Sequence, residues 1–224
     1  MEISLLCNAG LALFCDGETL LIDVLNKTVA PFCGLEESEW QKILHREKPY
    51  DHVVGLFFTH GHGDHCCKEK LLAYRQAWPS IPVFLPDDID ENGIVEMKNF
   101  LIEYRKVAHA PMPEEVPPHV IAKIRAAGKV IYIGADAALD VPPHAEFLGN
   151  EQVDAGFWNS MYLSRPENRS LLQKAAKKNY IYHMPKENPD AYGIWKKCHN
   201  NFRRFGEELG NVTVMDRYPY KIEL

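Results

Sequence analysis

The sequence predicts an α+β protein folded as one domain, 1–224, of two β-sheets with helices on their outer sides. Short apolar strand segments open the chain and return in its second half, helical segments alternate with strands in both halves, and no Gly/Ser linker, repeat or low-complexity tract divides it. Its 224 residues, 46% hydrophobic and 25% charged, have the composition of an ordinary globular chain long enough to bury a large core.

The chain begins with strands expected over 3–7, 11–15 and 19–23, a β-meander whose second turn is Asp16-Gly17-Glu18. A polar loop over 25–34 leads to a helix that starts with Glu36, Glu37, Ser38 and Glu39, an acidic bias suited to the positive end of a helix dipole. Residues 52–58, rich in Val, Leu and Phe, read as a buried strand. Then follow a helix over 68–78, strands over 82–85, 100–108, 119–124 and 129–133, a strand over 153–158, a helix over 168–177, a strand over 180–183 and an amphipathic helix from about 191 to 209.

Acidic residues outnumber basic ones 31 to 25, and the net charge of −6 repels nucleic acid and anionic lipid. Basic residues form short pairs, such as Lys196-Lys197 and Arg203-Arg204, that read as solvated helix faces. No basic segment precedes the first apolar residues, and no apolar run approaches the ~18 residues of a membrane span, so a cytoplasmic protein without membrane partners is expected. The six cysteines form no C-x-x-C pair and read as reduced, with Cys66-Cys67 as either packing residues or metal ligands.

Histidine is over-represented, at 10 residues. Three of them, His60, His62 and His65, stand with Asp64 between glycines at the end of the expected strand 52–58, so four donors share one tight loop. Imidazole and carboxylate donors suit a borderline divalent ion, zinc first, with manganese or iron as alternatives. Asp64 and His65 cannot both point the way His60 and His62 do, which favours two adjacent metal sites. Two such ions would activate a shared water for attack on a carbonyl or phosphoryl centre, and Asp64 could align that water and carry its proton to the leaving group.

Residues 59–65 resemble the T-H-x-H-x-D-H signature of the metallo-β-lactamase-fold hydrolases, and Asn8-Ala9-Gly10 and Leu20-Leu21-Ile22-Asp23 are similar to that family's opening strands. The resemblance implies a four-layer αββα sandwich of two mixed sheets. It also implies that Asp23 orients a ligand and that Asp136, at the end of Tyr132-Ile133-Gly134-Ala135-Asp136, bridges two metals, with Ala135 where the family has glycine. His109, before a loop opening at Ala110-Pro111, is the implied third ligand of the first metal, with His119 as its competitor. His183 resembles the terminal histidine of the branch that includes L-ascorbate 6-phosphate lactonase-like proteins. The expected sets are therefore His60, His62 and His109 for one ion, Asp64, His65 and His183 for the other, and Asp136 between them. His45, His52, His144 and His199 read as surface or structural histidines.

The substrate pocket is expected among the loops 25–34, 86–93 and 159–169, with Asn8, Asn159, Tyr162, Arg165 and Lys186 facing a small soluble substrate, anionic or hydroxylated. The chain has no room for the extra domain of the family's nucleases or the flavodoxin module of its diiron oxidoreductases, and the latter usually carry Glu at the position of His62. A hydrolase acting on an ester, lactone, thioester or phosphodiester is the expected function, with a non-hydrolytic metal-binding or diiron redox protein as the alternative. A homo-oligomer is compatible with either.

Overall fold

The computed structural model describes residues 1–88, 92–112 and 116–224. The first sheet has the order β13-β1-β2-β3-β4-β5, built from β1 (Glu2–Leu5), β2 (Leu11–Cys15), β3 (Glu18–Ile22), β4 (Val53–Phe57), β5 (Val83–Phe84) and β13 (Tyr220–Glu223). The second has the order β12-β11-β10-β9-β8-β7-β6, from β6 (Asn92–Met97), β7 (Phe100–Val107), β8 (His119–Ala126), β9 (Lys129–Ile133), β10 (Val153–Asn159), β11 (Ala176–Tyr182) and β12 (Val212–Val214). Asp16 and Gly17 (φ 51° and 80°) turn β2 into β3, and Ala127 and Gly128 (φ 47° and 69°) turn β8 into β9. Both are two-residue turns with positive φ at each central position, whose twist matches that of the strands they join.

The period-2 pattern sorts side chains to the two faces of each sheet. In β8, Val120, Ala122 and Ile124 point inward with Ile131, Ile133 and Phe157 to meet Leu11, Leu13, Ile22 and Phe57 of the first sheet. Ile121 points the other way, toward Tyr132 and Trp158. On the outer face of the first sheet, α1 (Glu37–Leu44) and α2 (Lys68–Ala77) cover Leu21, Val53 and Leu56 with Trp40, Ile43 and Leu71. On the outer face of the second, α3 (Val141–Leu148), α4 (Pro166–Ala175) and α5 (Ile194–Leu209) cover Trp158 and Ile181 with Leu148, Leu172 and Cys198. The result is the expected four-layer αββα sandwich.

Several expectations are corrected. The loop expected over 86–93 ends where β6 begins at Asn92, and its residues 89–91 lie outside the described residues. β6, β12, β13 and α3 add elements the periodicity did not separate from loop; α3 starts on Val141-Pro142-Pro143, a first turn where proline has no hydrogen bond to lose. The helix expected over 168–177 stops at Ala175, because Ala176 and Lys178 pair with Val153 and Ala155 of β10, and sheet pairing overrides local helix propensity. All six cysteines are free, and Cys67 donates to Glu69 rather than joining a metal cluster. Among the described residues no helix is long and apolar enough to cross a membrane.

Candidate metal centre

β3, β4 and β5 run parallel in one sheet, as do β9, β10, β11 and β12 in the other. Because β8 is antiparallel to both β7 and β9, the end of β7 and the start of β8 lie at the same edge as the C-terminal ends of β9 to β11. That edge gathers Asp23 after β3, residues 59–65 after β4, His109 after β7, His119 at the start of β8, Asp136 after β9, Asn159 at the end of β10 and His183 after β11. Two backbone bonds join the sheets there: Val120 N–H donates to Thr59 O at 2.9 Å, and His183 N–H to Asn8 O at 2.9 Å.

Donor atoms of His60, His62 and His109 lie within 4.8 Å of one another, and so do those of Asp64, His65, Asp136 and His183. Asp136 Oδ2 sits between the groups, 4.0 Å from His60 Nε2, 3.9 Å from His109 Nε2, 3.4 Å from His65 Nε2 and 3.5 Å from His183 Nε2. Asp64 Oδ2 is 3.1 Å from His183 Nε2 and accepts from Asn8 Nδ2 at 3.4 Å.

The Nε2 atoms of His60, His62, His65 and His109 are buried and have no hydrogen-bond partner. A buried polar group left unsatisfied costs roughly 1–3 kcal/mol, so four together would consume a large share of a total stability of about 5–15 kcal/mol. Each imidazole is nevertheless held at its other nitrogen or by its neighbours. His65 Nδ1 donates to Asp23 Oδ2 at 2.9 Å, His109 Nδ1 to Ala110 O at 2.6 Å, and His60 Nδ1 is 3.1 Å from Thr59 Oγ1. Asp23 also accepts from Thr59 N at 2.8 Å and Thr59 Oγ1 at 2.6 Å. An imidazole fixed at Nδ1 with a bare, inward Nε2 is the form a metal ligand takes, and the mixed nitrogen and carboxylate set fits one or two borderline divalent ions.

Electrostatics set the donors apart. Burial pushes His60 well below the usual histidine range, reinforced by His65 and His119, so it is neutral and its lone pair is free near pH 7. Burial also lowers His62, with His109 beside it. For His65 burial acts downward, but the carboxylates of Asp23, Asp136 and Asp64 outweigh it and raise the group well above its ordinary value. Asp136 is held well below the carboxylate range: burial opposes this, and His183 and His65 overcome it.

Three backbone positions here carry positive φ without being glycine: Asp23 (52°), Ala135 (44°) and His183 (56°). Such conformations cost energy for L-residues and cluster where surrounding structure enforces them, here at three strand ends that aim ligands inward.

The remaining expected residues divide. His119 does not join either donor group; its Nε2 accepts the Asp136 N–H at 3.1 Å and so holds the backbone of Asp136. Of the residues expected at the substrate, Asn159 donates from Nδ2 to Asp136 Oδ1 at 2.7 Å, and Asn8 is likewise turned onto Asp64. Tyr162 is 1% exposed, packed on Trp158 and His144 in the core under α3 to α5, so it cannot meet substrate. Arg165 points outward to Asp140 at 3.1 Å. Lys186 lies on the loop after His183, with its backbone N–H donating to Pro31 O. Of the four bystander histidines, His144 is structural: it is buried, takes the Tyr132 hydroxyl proton at Nδ1 and donates from Nε2 to Ala138 O at 2.9 Å. Sequence reasoning missed Phe32, whose ring centroid is 4.1 Å from that of His183; its only signal was an aromatic ring beside Pro31 in the loop over 25–34.

No family model and no curated protein matches the chain. Solved structures do. A possible metal-dependent hydrolase from Veillonella parvula DSM 2008 matches at 15% identity over 100% of this chain and 99% of that one, with TM-score 0.72. The metallo-beta-lactamase fold protein YhfI from Bacillus subtilis matches at 14% identity over 100% and 99%, with TM-score 0.69. CmlA, a diiron beta-hydroxylase from Streptomyces venezuelae, matches at 14% identity and TM-score 0.67, and this chain spans 54% of its length. At these identities the likeness carries the architecture alone: the chain has the metallo-β-lactamase fold.

Proposed function

We propose that the chain is a metal-dependent hydrolase in which His60, His62 and His109 hold one divalent ion, Asp64, His65 and His183 hold a second, and Asp136 lies between them. The observation that carries this reading is the set of four buried Nε2 atoms without partners, three of them within 4.0 Å of one carboxylate oxygen, Asp136 Oδ2. Zinc is the first choice for this donor set, with manganese or iron as alternatives. Bound there, two divalent ions supply Lewis acidity and a water acidic enough to act as a nucleophile near neutral pH.

The chain's own side chains do the rest. Asp64 Oδ2, steadied by Asn8 and His183, aligns the attacking water and passes its proton to the leaving group. Asn159 and His119 hold the two oxygens of Asp136 in register from its side chain and backbone. The substrate is a small molecule with an ester, lactone, thioester or phosphodiester bond; the setting of His183 favours the lactonase-like end of that range. A cytoplasmic setting belongs to the same proposal and is supported by six free thiols.

Elemental analysis joined to an activity screen tests the reading. Two colourless ions per chain, with lactone, thioester or phosphodiester turnover lost on chelation and restored on reloading, is the expected result. Two iron ions with a visible, redox-active spectrum and no hydrolysis would transfer the chain to the diiron alternative, toward which the architecture shared with CmlA points. A protein that retains no metal after loading would overturn both.

A further inference from the structure

The loop between β3 and α1 is fixed at both ends. Asn26 Nδ2 donates to Asp23 O and its Oδ1 accepts from Leu35 N, both at 2.8 Å, while Lys70 Nζ ties Asn26 O and Leu35 O together from α2. Within it, Val29 and Phe32 form a small bridge, and Lys27 N–H donates to Gly63 O at 2.9 Å. The loop lies so close on residues 60–65 that a Cβ on Gly63 would come within 2.9 Å of Lys27 Cε and 3.3 Å of Val29 Cγ2. It is therefore a preformed wall of the centre.

Phe32 is the pivot of that wall. Its ring packs on His183, and it also lines a cavity of about 260 Å³ whose other walls include Pro31, Pro189, Ala191 and Tyr192. Lys186, three residues after His183, is the single charged residue of the lining. Tyr192 is 72% exposed, the most of the six exposed large apolar side chains among the described residues, and Val29, beside the cavity, is another of the six. A cleft with apolar walls and a single charge is the usual make-up of a small-molecule site, and Phe32 sets this one against the ligand residue His183. A cavity of about 150 Å³ holds a benzene ring, so this one has room for an aryl group with a short linker.

We propose that this cavity receives the apolar, arylalkyl end of the centre's substrate, with Lys186 pairing with an anionic group on it. The word substrate rests on the hydrolase reading above; the cavity and its ligand class do not. Phe32 then serves twice, as the floor under the tail and as the packing partner that fixes His183, so tail occupancy and ligand geometry are coupled through one ring. Acetyl-sized substrates would leave the cavity to water.

Titration of chelated protein with 4-phenylbutyrate, followed by calorimetry or by NMR shifts, separates the two claims. Wild type is expected to bind it and to bind acetate undetectably. Tyr192→Ser and Phe32→Ala should each raise Kd about 10-fold, and Lys186→Gln about 3-fold with loss of salt dependence, as for an exposed ion pair. Absence of phenylbutyrate binding, or binding unchanged in Tyr192→Ser, overturns the proposal; that side chain is exposed enough for the variant to fold. With metal restored, the ratio of kcat/KM for phenylacetyl over acetyl esters should fall about 10-fold in Tyr192→Ser. Binding in chelated protein with no turnover of esters, lactones, thioesters or phosphodiesters in loaded protein would refute the hydrolase reading while leaving the cavity assignment supported.

Discussion

His65 and Asp23 form a fully buried pair, with His65 Nδ1 donating to Asp23 Oδ2 at 2.9 Å and neither side chain exposed. The same carboxylate takes both donors of Thr59, the residue before His60, so one side chain at the end of β3 sets the aim of a loop that follows β4. Asp23→Asn keeps the shape but replaces a triple acceptor by a group with only one acceptor oxygen. Metal affinity, measured by competition against a chelator, is expected to weaken about 10- to 100-fold. Unchanged affinity would remove Asp23 from the support of the centre.

His109 and His119 stand 5.5 Å apart, ring to ring, yet offer different atoms. His109 has its Nε2 bare, whereas His119 spends Nε2 on the Asp136 N–H. His109→Ala should lower bound metal from two ions per chain toward one. His119→Ala should keep the stoichiometry at two and loosen binding. Elemental analysis of both variants under the same loading decides between the roles, and the reverse pattern would exchange them.

Ala135 has φ 44° and is 1% exposed. A left-handed backbone costs an L-residue roughly 1–2 kcal/mol, and a β-branched side chain suffers more there. Ala135→Val is expected to destabilise the fold by about 2–3 kcal/mol in urea unfolding. Ala135→Gly should stay within about 1 kcal/mol of the parent, since relief of strain is offset by the greater chain entropy of glycine. A valine variant as stable as the parent would show that position 135 is not held in the left-handed region.

Burial lowers the pKa of His144, which is held neutral between Tyr132 and Ala138. The unfolded chain takes up a proton here near pH ~6.5 and the folded chain only lower, so the stability from this residue is complete above that value and drains away as pH falls toward the folded pKa. His144→Gln should be less stable than wild type at pH 7.5, with the gap narrowing by pH 5.5. Urea midpoints taken in chelator at both pH values test this. Other buried histidines contribute equally to both proteins, so the difference isolates residue 144, and a constant gap would contradict the assignment.

Legibility of the centre follows distance along the chain. His60, His62, Asp64 and His65 were readable because six consecutive residues on one glycine-flanked loop can reach little beyond a shared volume. Asp136 and His183 were found through the likeness of their strand-end contexts. Sequence could not show which way Asn8, Asn159 and Tyr162 point, because a residue near a strand end shows its neighbourhood in sequence but not its direction: Asn159 turns onto Asp136, and Tyr162, three positions on, turns into the core under the helices, away from any substrate.

By itself the sequence determined the layered α+β architecture and a histidine-rich loop suited to divalent metal, since side-chain period and contiguous ligand spacing are local properties. Only the tertiary structure decided that His109 rather than His119 turns a bare Nε2 into the donor cluster, that Asn159 braces the Asp136 carboxylate, and that Phe32 stands between His183 and an apolar cavity. Those outcomes depend on which strand ends the parallel pairing of β3 with β4 and of β9 with β10 and β11 brings to one edge, and on the left-handed backbone at Asp23, Ala135 and His183 that turns each chain inward there. Contacts between residues more than 100 positions apart, such as His183 with Asp64, are set by that sheet order and by nothing in the neighbouring sequence.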